Sequence, residues 1–191
     1  MKSLRLLLCA LPLALTGCST LSSINWSAAY PWNWFGSSLE VTEQGVGNIT
    51  AATALGQDAL QAALSSDYRL RSGMKTENGT IVRYFEALKG DKLALVINGD
   101  KGTVNRIAVL DDAIPTASGV KVGTPFSDLY KQAFGNCASA PSDDGVAVQC
   151  KAPDSQHISY LFTGTWSGPE GLMPSDDTLK NWKVSKILWQ Q

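Results

Sequence analysis

One histidine, His157, and few cysteines leave little material for side-chain catalysis. With neither a second histidine nor a spare thiol, Ser-His-Asp and Cys-His sites lack their components. The nucleophile-elbow pattern Gly-x-Ser-x-Gly is also missing, because Gly164-Thr-Trp-Ser-Gly168 has the wrong spacing. Ser72-Gly-Met-Lys75 fits Ser-x-x-Lys, but no Lys-Thr-Gly or Ser-Asp-Asn accompanies it, and Gly45-Val-Gly47 lacks the third glycine of a dinucleotide loop. No catalytic residue, cofactor or metal ligand set is therefore assigned, and the expectation is a protein that is not an enzyme.

Charge of one sign is lacking as well. From residue 18 onward the chain keeps 14 basic residues against 17 acidic ones, a formal net of −3. A mild, mixed charge with no evident basic face argues against nucleic acid and against a polyanionic partner. Long apolar runs are absent apart from Leu6–Leu15, which is broken only by Pro12. Ten residues span about 15 Å as a helix against a hydrocarbon core of about 30 Å, too short for a permanent span. Preceded by Lys2 and Arg5, this run has the layout of a secretory signal over residues 1–17, and the remainder of the chain is expected to be soluble.

Leu15-Thr16-Gly17-Cys18 comes directly after the apolar run and resembles the lipobox of bacterial lipoproteins, in which the cysteine is acylated and becomes the mature N-terminus. The alternative is an ordinary thiol near a signal-peptidase site. Two or more acyl chains hold a protein stably on a bilayer where one does not. In the sorting pattern of such lipoproteins Asp after the cysteine favours inner-membrane retention, and here that position is Ser19. The expected location is the outer membrane, lipid-anchored and facing the periplasm.

With Cys9 in the leader and Cys18 acylated, Cys137 and Cys150 remain. An even pair in an oxidising compartment reads as a disulfide, against the alternative of two buried thiols. A metal site is disfavoured, since the pair lacks Cys-x-x-Cys spacing and neighbouring ligands.

The segment 18–38 places Trp26, Tyr30, Trp32, Trp34 and Phe35 close together, where a flexible tether would be rich in Ser and Gly. Two uses stay open: rings seated at the headgroup level, or rings packed against the domain. From residue 39 to 191 the pattern predicts one α+β domain, an antiparallel sheet with two helices packed on one face. A helix is expected over Thr53–Leu64 with Thr53 as its cap, and a second from Thr124-Pro125 to Gly135. Strands are expected at 68–74, 80–88, 92–98, 103–110, 146–150, 157–163 and 182–189. The turn signals Glu77-Asn-Gly79, Lys89-Gly-Asp91 and Asn98-Gly-Asp-Lys-Gly102 separate the earlier ones. The stretch 138–145 reads as turn. The order of elements predicts two degenerate repeats, 39–113 and 114–191, with Val104-Asn-Arg-Ile107 matching Val184-Ser-Lys-Ile187 and Ile97-Asn-Gly99 matching Phe162-Thr-Gly164.

Three acidic pairs, Asp111-Asp112, Asp143-Asp144 and Asp176-Asp177, lie among turn residues or at a helix start, where acids have structural uses.

The lipobox, the block Tyr30-Pro-Trp-Asn-Trp-Phe-Gly36 and Gly45-Val-Gly-Asn-Ile-Thr50 together resemble the enterobacterial YfeY family of envelope-stress (sigma-E, RpoE) regulated lipoproteins. The resemblance implies an envelope role under stress and transfers no activity. The leading expectation is a non-catalytic binding or assembly-support module, tethered to the membrane by its acyl chains and engaging an envelope protein or cell-wall component. The competing readings are a wall-glycan hydrolase using two carboxylates and a structural stabiliser of the membrane surface.

Overall fold

The computed structural model describes residues 39–77, 79–140, 146–169 and 171–191. Residues 1–17, read as a leader, Cys18, and Trp26, Tyr30, Trp32, Trp34 and Phe35 lie outside the described residues. The chain enters through a three-stranded antiparallel sheet of two-residue strands, β1 (Val41–Thr42), β2 (Gly45–Val46) and β3 (Ile49–Thr50). Helix α1 (Gln57–Ala63) leads to a meander of β4 (Tyr68–Glu77), β5 (Thr80–Lys89), β6 (Lys92–Asp100) and β7 (Thr103–Val109). After α2 (Phe126–Leu129) come β8 (Cys137–Ala140), β9 (Ala147–Lys151) and β10 (Ile158–Thr163), then α3 (Asp176–Leu179) and β11 (Lys183–Gln190). One eight-stranded antiparallel sheet results, in the order β4-β5-β6-β7-β11-β10-β9-β8.

Hairpins join most neighbours, and their turns arise from local chemistry. At Lys101-Gly102 both central residues have positive φ (51° and 86°), the conformation that matches strand twist in a two-residue turn and favours glycine. Alternation decides which side is dry. Phe85 and Ala87 on β5, Leu95 and Ile97 on β6, and Ile107 and Val109 on β7 are buried, as are Ile187 and Trp189 on β11 and Tyr160 and Phe162 on β10. They share one face, because side chains two apart point the same way. Their cluster also takes in Val41, Val46 and Ile49 of the small sheet, Leu60 of α1, Ile114, Phe126 of α2 and Leu179 of α3. The Phe126 and Tyr130 rings meet Phe162 edge-on, with centroids 5.2 and 6.0 Å away, a favoured aromatic geometry.

The antiparallel α+β class agrees with the sequence, but the helices are much shorter than expected. α1 starts after Gly56, and Thr53 Oγ1 accepts from Thr50 N–H (2.9 Å) instead of capping it. α2 is one turn with Pro125 at its N-cap, and Thr124 Oγ1 accepts from Lys121 N–H (3.1 Å). In both places the threonine closes a preceding turn, which competes with helix capping. The stretch 137–140 is strand β8, not turn.

The two halves carry the same hydrogen bonds. Val104 N–H donates to Thr53 carbonyl (3.0 Å) and Val184 N–H to Thr124 carbonyl (2.9 Å); Leu55 N–H donates to Gly102 carbonyl and Phe126 N–H to Trp182 carbonyl. β7 and β11 pair as Val109↔Ile187, Ala108↔Leu188 and Ile107↔Trp189. An 80-residue offset maps this register onto itself, with Ala108 and Leu188 at the centre. Each closing strand also has a register shift, at Asn98/Gly99 and at Leu161/Phe162. These shifts make Gly99 equivalent to Phe162, so the match of Ile97-Asn-Gly99 to Phe162-Thr-Gly164 is corrected by two residues.

Cys137 and Cys150 are direct partners across β8 and β9 and form a disulfide, S–S 2.06 Å with Cα atoms 4.0 Å apart. The bridge fastens the edge strand β8 to the sheet. Removing it as the Cys137→Ala/Cys150→Ala pair should cost about 3 kcal/mol, the chain-entropy value for a loop of this size. The check is the urea midpoint of the pair against the native chain, with alkylation of the unreduced native protein adding no mass at either position.

Candidate functional site

The described polar side chains converge where the β1–β2 turn meets the connection from β9 to β10 and the end of β11. Glu43 Oε1 accepts a hydrogen bond from the Ser155 hydroxyl, and Oε2 accepts from Gln156 N–H (3.2 Å). Ser155 Oγ in turn accepts from the N–H groups of His157 (3.2 Å) and Ile158 (2.8 Å). Trp189 Nε1 donates to the Glu43 carbonyl (3.0 Å), so one residue is held through both its side chain and its backbone. His157, the first residue of the strand expected at 157–163, lies just ahead of β10 with Nδ1 3.0 Å from the Gln190 carbonyl. A carbonyl only accepts, so Nδ1 carries the proton.

Ser, His and Glu thus lie together without forming a nucleophilic triad. Activation of a serine requires a base within hydrogen-bond reach and a hydroxyl free to attack. Here the Ser155 hydroxyl donates to Glu43, its lone pairs take two backbone N–H groups, and the imidazole turns to Gln190. The cluster acts as a clasp between segments 112 residues apart. Sequence reading missed Glu43 and Ser155, and no local signal marks either one.

Beside the clasp lies an open groove of about 760 Å³, bordered by Tyr130, Lys131, Gln132, Asn136, Asp154 and Gln156. Tyr130 forms its buried part and donates its hydroxyl to the Lys151 carbonyl (2.5 Å). Burial pushes the Tyr130 phenol well above its ordinary range, keeping it a neutral donor. Phe134, in the turn after α2, is 87% exposed.

The acidic pairs are engaged elsewhere. Asp111 Oδ1 accepts from Ala113 N–H (3.0 Å), a local turn bond. Asp176 Oδ1 accepts from Ala133 N–H (2.7 Å), joining the start of α3 to the turn after α2, and Asp177 pairs with Lys180 (2.9 Å). Asp143 and Asp144 lie outside the described residues. Among the described residues no group of three or more His, Cys, Asp or Glu could hold a metal ion.

The Ser155 hydroxyl, followed by Gln156 N–H, holds the Glu43 carboxylate below its ordinary 4.5. A depressed carboxylate adds stability above its unfolded pKa and loses it as pH falls through the folded one. Glu43→Gln should therefore destabilise the chain by about 1 kcal/mol at neutral pH, discounted for partial exposure. The gap between variant and native chain should close as pH drops below 4.5, which thermal unfolding of both across the acid range would measure.

The model of a family described as "Protein of unknown function (DUF1131)" matches residues 23–191. The uncharacterized protein YfeY of Escherichia coli (strain K12) is 70% identical over 191 residues, covering all of both chains. A crystal structure of the uncharacterized protein yfeY from Escherichia coli is similar with a TM-score of 0.73 at 64% identity, covering 80% of this chain and 99% of that one. Matched along most of its length by the family model and end to end by a close relative, the chain belongs to the YfeY-like family of proteins of unknown function, DUF1131.

Proposed function

We propose that this chain is an outer-membrane lipoprotein of the envelope stress response, anchored through acyl chains on Cys18, whose domain is a non-catalytic binding or assembly-support module facing the periplasm. The observation that carries the binding half is the commitment of the site's reactive groups. Ser155, Glu43 and His157 are each consumed by structural hydrogen bonds, while the adjoining groove leaves Lys131, Gln132 and Asn136 open to solvent. Polar side chains on an open groove over a rigid sheet suit recognition of an extended polar partner, such as a wall component or a segment of an envelope protein. The anchor half is supported by Leu15-Thr16-Gly17-Cys18 placed directly after the apolar run. The Cys137–Cys150 disulfide agrees with an oxidising compartment.

A photo-crosslinking residue replacing Gln132 or Asn136 in intact cells should yield a discrete adduct, reduced when Cys18→Ala removes the acylation site. No specific adduct from any groove position in either form would overturn the binding reading. For location, the native chain should fractionate with the outer membrane, and Ser19→Asp should move it to the inner membrane; equal distribution of the two would count against the sorting assignment.

A further inference from the structure

The charge that is mixed along the sequence is segregated in the fold. On the sheet face opposite the core, alternation places Arg69, Arg71 and Lys75 of β4 with Arg106 of β7, since Tyr68 and Ile107 beside them are buried. Lys151 of β9 pairs with Ser159, and Lys183 and Lys186 of β11 pair with Thr163 and Leu161, all on that same face. Seven of the 14 basic residues of the mature chain thus share one face with only three of its 17 acids, Glu77, Glu86 and Asp100. The face carries +4 and the rest of the mature chain −7, which corrects the expectation that no basic face exists.

All three cations of β4 are ion-paired, Arg71 with Glu86 (2.5 Å) and Lys75 with Glu77 (3.5 Å) within the face, and Arg69 with Asp91 of the bordering β5–β6 turn (3.9 Å). Among the described residues Arg106, Lys151, Lys183 and Lys186 have no carboxylate within ion-pair distance. These four span β7 to β9 on half-buried Ala108, Leu188 and Gln149, and the seven cations together extend over about 29 Å at the usual strand spacing.

We propose that this face docks on an anionic phospholipid surface. Cations distributed over a broad sheet match a planar array of phosphates better than a single carboxylate or a narrow acidic peptide, and long Lys and Arg side chains can reach the headgroups from short apolar neighbours. Residues 18–38 contain no Asp, Glu, Lys or Arg, so they bring no side-chain charge that would neutralise the face. The proposal rests on the anchor reading only for the presence of a bilayer nearby.

The test uses the chain from residue 18 with Cys18→Ser, so that binding is read without acyl chains. The solved relative matches 80% of this chain along 99% of its own length with a TM-score of 0.73, so a chain shorter than this one holds the fold. The chain should float with phosphatidylcholine vesicles containing about 30% phosphatidylglycerol, not with phosphatidylcholine alone, and should be released by about 0.5 M NaCl. Arg106→Glu/Lys183→Glu/Lys186→Glu should lower the bound fraction roughly tenfold or more. Lys92→Glu/Lys121→Glu/Lys180→Glu, with the same net charge placed off this face, should leave it near native. Equal flotation with neutral vesicles, no salt effect, or equal loss in the two triple variants would overturn the proposal; so would capture by polyglutamate without capture by anionic vesicles. The salt and lipid dependence of the unsubstituted chain decides the matter even if a variant fails to fold. The mass of the native N-terminus separates the two readings. Acylated Cys18 with failed flotation removes the docking face alone, whereas flotation of a chain whose native form lacks acyl mass removes the anchor alone.

Discussion

The pairing of β7 with β11 holds the molecule together. Each strand closes one half of the chain, and their register places Ile107, Val109, Ile187 and Trp189 in the same core. Full burial of side chains of this size contributes about 1.5–3 kcal/mol each. A slip of β11 by one residue would turn Ile187 and Trp189 to the opposite face and bring Lys186 inward, so the register is strongly specified. Each closing strand is also tied to its own half through Val104 to Thr53 and Val184 to Thr124. The central pairing therefore positions everything outside the sheet as well.

The clasp depends on that pairing. With β11 fixed against β7, Trp189 and Gln190 reach the end of the sheet where the β9–β10 connection brings Ser155 and His157. Glu43 fits between them and joins the small entry sheet to the large one. The same pairing sets Arg106 opposite Gln190 and places Lys186 and Lys183 farther along the neighbouring strand, with all three on the face away from the core. One contact thus joins the core, the clasp and the basic face.

Most strands were legible because period-two alternation and glycine- or asparagine-bearing turns are local signals, as between β5 and β6 at Lys89-Gly-Asp91. The helices were overread. Apolar spacing continues past Leu129 to Phe134, but Phe134 is exposed and the chain turns. β8 went unseen because Cys137-Ala-Ser-Ala140 is short and small, and it is a strand through its pairing to β9. The disulfide was legible by elimination, since two cysteines remain once Cys9 and Cys18, in the segments read as leader and lipobox, are set aside. Glu43 and Ser155 could not be found in this way, since a hydrogen bond across 112 residues leaves no pattern in either neighbourhood.

By itself the sequence determined what depends on near neighbours: the leader and lipobox resemblance, the hairpins, and the alternation that assigns each strand residue to one of two faces. It did not determine which faces would be added together. Arg71, Arg106, Lys151 and Lys186 stand in segments that read as mildly charged, and their fields combine only because the strand order β4-β5-β6-β7-β11-β10-β9-β8 aligns their parities. That order is set by hydrophobic burial and long-range backbone pairing. The physical reason for the division is range: turn chemistry and alternation act over a few residues, whereas register, the clasp and the summed charge arise from segments that meet only on folding.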